Sequence, residues 1–239
     1  MFLPFDPLYL IMMAPVLLLS LVAQVMVKSA FGRYSKVPST SGLSGARAAR
    51  RMLEANGLTG VGIERVAGRL SDHYDPIKRV LRLSPEVHDG ASVASVGVAC
   101  HEAGHALQHA KGYVPLYLRT ALVPLASFGS NGGIWIMIVG VLMTGMVGVF
   151  GYYMALAGFG LFAAAVLFSL VTLPVEFNAS SRAKTQLAQL GVIHGEEEAR
   201  GVNKVLNAAA LTYVAGAIAA IVSLLYWAIR LGLVGGRDD

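Results

Sequence analysis

Residues 118–173 read LRTALVPLASFGSNGGIWIMIVGVLMTGMVGVFGYYMALAGFGLFAAAVLFSLVTL, and Arg119 is the only Asp, Glu, Lys or Arg among these 56 residues. A helix needs about 20 predominantly apolar residues to cross a bilayer. The stretch therefore holds two spans, 118–148 and 152–173, with a tight turn between Gly148 and Gly151. Gly140, Gly145, Gly148, Gly158 and Gly160 would let the helices approach closely. The first span is longer than the bilayer requires. Its surplus points to a break at Ser130-Asn131-Gly132-Gly133, or to an interfacial course for part of 118–132.

Outward from this hairpin, residues 8–27 form a second uncharged apolar run. A cleavable signal peptide would begin with basic residues and carry a shorter core. This chain begins Met-Phe-Leu-Pro-Phe-Asp, so a retained membrane helix is expected. Residues 208–229 supply a further span, with Tyr226 and Trp227 near its end as interface anchors. Of the 239 residues, 55% are hydrophobic and 14% charged, with a mean hydropathy of +0.61. A soluble domain carries about 25% charged residues. The expected fold is a mainly α, multi-pass integral membrane protein with about four transmembrane helices. The net charge of +5 comes from Lys and Arg flanking the apolar runs, with no aromatic-interleaved basic patch. The expected partner is thus the lipid bilayer and not nucleic acid. Cys100 is the single cysteine, which excludes an intrachain disulfide and fits a reducing compartment.

Two polar segments remain, 28–112 and 174–207. In the first, a helix is predicted over 46–56, with Ser44 as N-cap and Gly57 as its stop. Residues 77–84 mix Val80, Leu81 and Leu83 with basic residues and predict a short strand, ended by Ser84-Pro85. A helix over 92–111 follows and carries the histidines. In the second segment, a helix over 175–189 is entered through Pro174 and stopped by Gly191, and another starts near Glu196.

The helix over 92–111 contains His101-Glu102-Ala103-Gly104-His105. Histidines four apart lie about 40° apart around a helix and about 6 Å along it. Two imidazoles so placed can share one Zn²⁺. Glu102, about 60° from His105, stands where it can take a proton from a metal-activated water. The competing reading is a structural histidine pair beside a satisfied carboxylate. A catalytic zinc needs a third protein ligand and an open position. The longer HExxHxxGxxH pattern is absent, because position 108 is Gln and position 111 is Lys. His109 lies about 12 Å along the helix from His101, so it suits the pocket better than the metal. No Asp or Glu occurs between Glu102 and Glu176. Farther on, Glu196, Glu197 and Glu198 fit the first turn of a helix, where they offset its dipole, and Asp238 and Asp239 suit a frayed tail. Glu176, at the start of a polar helix after a span, is the best third ligand. Two spans between His105 and Glu176 also return the chain to the side it left.

These residues carry a resemblance. The chain resembles the YugP-like family of prokaryotic membrane zinc metallopeptidases over nearly its whole length. The likeness rests on Ser71-Asp72-His73-Tyr74-Asp75-Pro76, Val80-Leu81-Arg82-Leu83-Ser84, HEAGHALQH over 101–109, and Leu173-Pro174-Val175-Glu176-Phe177-Asn178-Ala179-Ser180. It implies a neutral zinc peptidase with one Zn²⁺ per chain, held by His101, His105 and Glu176, with Glu102 as general base. It also implies a zincin-like part in 28–112 and a protein or peptide substrate. The layout is similar to the HtpX-like membrane peptidases, which place an Asp four residues after the ligand Glu. Here that position is Ser180, so Asn178 or Ser180 is a candidate to orient a histidine instead. His73, in a Tyr-Asp-Pro turn, is a candidate to hydrogen-bond the developing oxyanion, and Tyr74 has a similar case. Arg79 and Val80, Leu81, Arg82 and Leu83 are expected to form an exposed edge beside the zinc, where extended substrate would pair.

The resulting expectation is a membrane-embedded zinc endopeptidase in the plasma or inner membrane. A catalytically inactive metal-binding adaptor is the alternative, and the retained Glu102 argues against it. A di-iron oxidase would want more clustered histidines than the six present supply. Seventeen of the nineteen Lys and Arg fall on the side of the two polar segments, which points to a cytoplasmic zinc site with both termini outside.

Overall fold

The computed structural model describes residues 6–234. The residues read against a signal peptide at 1–5, and Arg237, Asp238 and Asp239, lie outside the described residues. The chain is a mainly α membrane protein: among the described residues, four helices are long and apolar enough to cross a bilayer. They are α1 (Pro7–Tyr34), the run Val114–Val147, and two long helices, Val149–Gln189 and Gly195–Arg230. Between the first and second lie α2 (Gly45–Ala55), β1 (Gly62–Arg65), β2 (His73–Asp75), β3 (Val80–Leu83), α3 (Pro85–Asp89) and α4 (Val93–Ala110). The run Val114–Val147 comprises α5 (Val114–Phe128), a π-helical turn (Gly129–Gly133) and α6 (Ile134–Val147); the two long helices are α7 and α8. The chain divides into an apolar unit built around Leu118–Leu173 and a polar unit of Ala23–Tyr117 with Pro174–Thr212.

In the apolar unit, the expected break at Ser130-Asn131-Gly132-Gly133 is a π turn instead of a gap. Gly148, at a φ of +56°, makes the reversal into α7. Of the small residues expected at the helix contact, Gly140 and Gly158 serve it. A Cβ on Gly140 would stand 2.4 Å from the Ala155 nitrogen, and one on Gly158 2.6 Å from the Gly133 oxygen. Gly145, Gly148 and Gly160 face open space. Tyr226 and Trp227 are buried within the apolar unit. The Tyr226 hydroxyl donates to Asp6 Oδ2 at 2.7 Å, and Asp6 also pairs with Arg230.

The polar unit is organised on α2 and α4. Ser44 caps α2 by accepting from the Arg47 N–H, and Gly57 beyond it takes a φ of +74°. Ser92 caps α4 by accepting from the Ser95 N–H. Ala48, Ala49, Met52 and Leu53 of α2 share one core with Val96, Ala99, Cys100 and Ala103 of α4. Gly45 lets the pieces meet, since a Cβ there would stand 2.1 Å from the Val87 carbonyl oxygen.

Three expectations change here. The strand with Val80, Leu81, Arg82 and Leu83 exists, but it is not an edge. β3 is central, paired in parallel with β1 and antiparallel with β2. Val80, Leu81 and Leu83 are buried, as an apolar central strand requires. Arg79 precedes the strand in a turn at a φ of +51°. Second, Pro174 does not open a new helix but lies inside α7. An interior proline costs about 3 kcal/mol. Beyond it Val175, Glu176 and Ala179 are buried, and that packing outweighs the lost bond. Third, the helix starting near Glu196 and the span over 208–229 are one helix, α8. Glu198 does more than offset its dipole: buried, it accepts from the Thr40 N–H at 2.6 Å and from the His194 N–H.

Candidate metal centre

α4 carries half-buried His101 and buried Glu102 and His105, and the polar half of α7 carries Glu176. Gly104 sets the helix separation. A Cβ at this position would stand 2.6 Å from the Ala179 carbonyl oxygen, so the two backbones touch between the histidines and the glutamate. His101 Nε2 lies 3.2 Å from Glu176 Oε2, and His105 Nε2 lies 3.6 Å from the same oxygen. One nitrogen or oxygen donor from each of the three residues falls within 4.8 Å of the others. Four-coordinate zinc with ligands at about 2.0–2.2 Å separates neighbouring donor atoms by about 3.3–3.6 Å. Both histidine contacts to Glu176 match this separation, and the donor set suits zinc in type.

The electrostatics also favour a shared cation. Burial would raise the Glu176 carboxyl, but bonds to His101 and His105 and their charge hold it well below the usual carboxylate range. Burial would lower His105, yet Glu176 and the charge of Glu102 win and hold the imidazole above its ordinary value. Each of the two groups favours its charged form beside the other. Glu102 is different. It is only 8% exposed, and its carboxylate has no hydrogen-bond or ion-pair partner among the described residues. No fully buried side-chain oxygen lacks a partner among the described residues, so the Glu102 oxygens keep access to solvent, as a carboxylate that must meet a water requires.

The far nitrogens of both histidines are held. Ser180 Oγ lies 3.1 Å from His101 Nδ1, within hydrogen-bond distance. His105 Nδ1 lies 3.0 Å from Gln108 Oε1, and Gln108 also bonds Asn178. Sequence reading considered position 108 only as a missing ligand. The signal available was its place three residues after His105, on the same helix face.

A family described as "Putative neutral zinc metallopeptidase" matches residues 9–232. The chain belongs to this family. It is 48% identical over 221 residues to the "Putative membrane protease YugP" of Bacillus subtilis (strain 168), covering 92% of this chain and 94% of that protein. No solved structure matches the chain. Zinc is the metal of the family, and His101, His105 and Glu176 form a possible seat for it.

The other candidate residues lie on α4 and on β2 with the turn that follows it. His109 stays outside the metal group; its Nδ1 lies 2.9 Å from the Tyr74 hydroxyl. Both line a cavity of about 490 Å³ with Arg79 and Tyr117. His73 is exposed on β2, with Nδ1 2.8 Å from the Ser71 carbonyl oxygen. A carbonyl only accepts, so Nδ1 donates to it, and Nε2 of the neutral ring is left as an acceptor. Donation to an oxyanion would need the imidazolium. Asp75 is held down to about 2 by the Lys78 N–H and Arg82, which fastens the β2–β3 turn. Cys100 is a buried small side chain whose thiol is pushed up by burial.

Gly104 offers a stability test. Ala in a helix gains about 1 kcal/mol of propensity over Gly, whereas overpacking a tight contact costs about 1–3 kcal/mol. With backbone on the other side of the contact, the clash should win. Gly104→Ala is expected to lower the unfolding temperature and reduce zinc content. Unchanged values for both would show that the α4–α7 contact is slack.

Proposed function

We propose that the chain is a membrane-embedded zinc endopeptidase, with His101, His105 and Glu176 as metal ligands and Glu102 as general base. One observation carries the reading: the three donors converge within 4.8 Å, and the Glu102 carboxylate on the same helix as two of them bonds to no described residue and keeps access to solvent. Zinc, when bound, would acidify a water and polarise the scissile carbonyl. His101, His105 and Glu176 would hold it from three sides and leave the fourth open. Ser180 and Gln108 would keep the two imidazoles in position. A Glu102 carboxylate oxygen would take the proton from the attacking water as its oxygen adds to the carbonyl carbon. The same carboxyl would then pass that proton to the amide nitrogen as the C–N bond breaks. A protein or peptide is the substrate class this chemistry serves.

Stripping the purified protein with a chelator is expected to abolish peptide hydrolysis, and Zn²⁺ is expected to restore it. Full activity in a verified metal-free protein would end the reading. The relative bears the name "Putative membrane protease YugP", which favours hydrolysis here over a metal-binding adaptor.

The same proposal includes a placement in the plasma or inner membrane with the site in the cytoplasm. Its support is the concentration of Lys and Arg in the two polar segments, including Lys28, Lys111, Arg182 and Lys184 near span ends. The proposed spans are 8–27, 118–148, 152–173 and 208–229, with 28–112 and 174–207 on one side. A cysteine introduced at exposed Lys78 is expected to resist a membrane-impermeant thiol reagent in intact cells and react after lysis. Reaction in intact cells would reverse the assignment.

A further inference from the structure

We infer that Arg182, Asn178 and Gln108 form a one-way hydrogen-bond relay that presents the Nε2 lone pair of His105 to the metal. The inference rests on the reading of His105 as a ligand and extends it to how that ligand is prepared.

The relay follows from what each group can donate or accept. Arg182 Nε lies 2.7 Å from the Asn178 side-chain oxygen, and a guanidinium only donates. The Asn178 atom facing it must therefore be oxygen. The same Oδ1 lies 3.0 Å from Gln108 Nε2, and the Val175 carbonyl oxygen lies 2.8 Å from that nitrogen. Two acceptors around one end of the Gln108 amide require that end to be the NH₂ group. The opposite end is then Oε1, 3.0 Å from His105 Nδ1. An amide oxygen only accepts, so His105 Nδ1 carries the hydrogen. In the neutral ring Nε2 is left with its lone pair, and it is Nε2 that faces Glu176.

Gln108 is fully buried, with no room to turn its amide without stranding two acceptors. Asn178 Nδ2, by contrast, has no partner among the described residues. His101 is held differently, by a Ser180 hydroxyl that can either donate or accept. The two histidines thus differ: one ring has its tautomer set by a chain ending at a cation, the other rests on an adaptable hydroxyl. Gln108 is a positioning residue, and such outer partners are worth about 10–100-fold in metal affinity.

Zinc affinity of the full-length protein, read by competition with a chromogenic chelator, tests the relay. Unfolding of each metal-free variant is followed alongside to separate affinity from folding. Gln108→Met, near in shape but unable to accept the His105 hydrogen, is expected to weaken zinc about 10–100-fold. Asn178→Asp keeps the accepting oxygen and is expected to hold zinc at or above the wild-type affinity. Asn178→Leu removes it and is expected to weaken zinc. Wild-type affinity in folded Gln108→Met would overturn the relay. So would equal affinity in the two Asn178 variants, which decide the matter if Gln108→Met does not fold. A wild-type chain that takes up no zinc would instead remove the metal site itself, a separate result.

Discussion

Glu102→Gln is expected to keep its zinc and lose peptide hydrolysis by at least about 10²–10⁴-fold, the usual contribution of a positioned general base. The substitution preserves the shape of a nearly buried side chain and leaves His101, His105 and Glu176 in place. Because the carboxylate bonds to no described residue, an amide there breaks no structural contact. The loss should therefore fall on turnover, while folding and metal content stay at wild-type values. Substrate binding should survive as well, which makes this variant suitable for trapping substrates in native membranes. Near-normal turnover in a zinc-loaded Glu102→Gln protein would overturn the mechanism.

Glu176→Ala is expected to act on the metal first and on activity as a consequence. It removes the oxygen shared by both histidines, 3.2 Å from one and 3.6 Å from the other. Two imidazoles alone leave zinc with half of a tetrahedral shell. The loss in affinity should exceed the roughly 10–100-fold typical of residues that only orient a ligand. Elemental analysis after dialysis, paired with the peptidase assay, measures both effects. Undiminished zinc with normal activity would exclude Glu176 from the site. Comparison with Glu102→Gln is informative in its own right. One variant should be loaded and inactive, the other empty and inactive, and zinc in excess should rescue only the second in part.

Much of the polar unit was legible because its signals are local. Ser44 and Ser92 cap helices by bonding N–H groups three residues on, and Gly57 adopts the left-handed backbone that ends the first. The pairing of His101 with His105 follows from helix geometry alone. Glu176 was reached by elimination among few acids, a route open only because the intervening segment is apolar. β1 was missed, β2 was taken for a turn around His73, and β3 was misplaced as an edge, all for one common reason. Four-residue strands carry little periodicity, and whether a strand is central depends on partners far away in the chain. The bond between Tyr226 and Asp6 was not legible, because the two lie 220 residues apart.

By itself the sequence determined that the chain lives in a membrane, that one helix presents two histidines and a glutamate, and that few acids could complete the set. Those conclusions depend on hydropathy, helical spacing and a census of residue types, all readable without a partner. Only the tertiary structure decided that α7 continues through Pro174, that Gly104 brings Ala179 within backbone contact, and that Gln108 and Ser180 reach the two imidazoles. The physical reason is that a hydrogen bond requires about 3 Å and a suitable donor on each side. Sequence names the groups that could form such bonds, whereas the packing of one backbone against another selects the few that do.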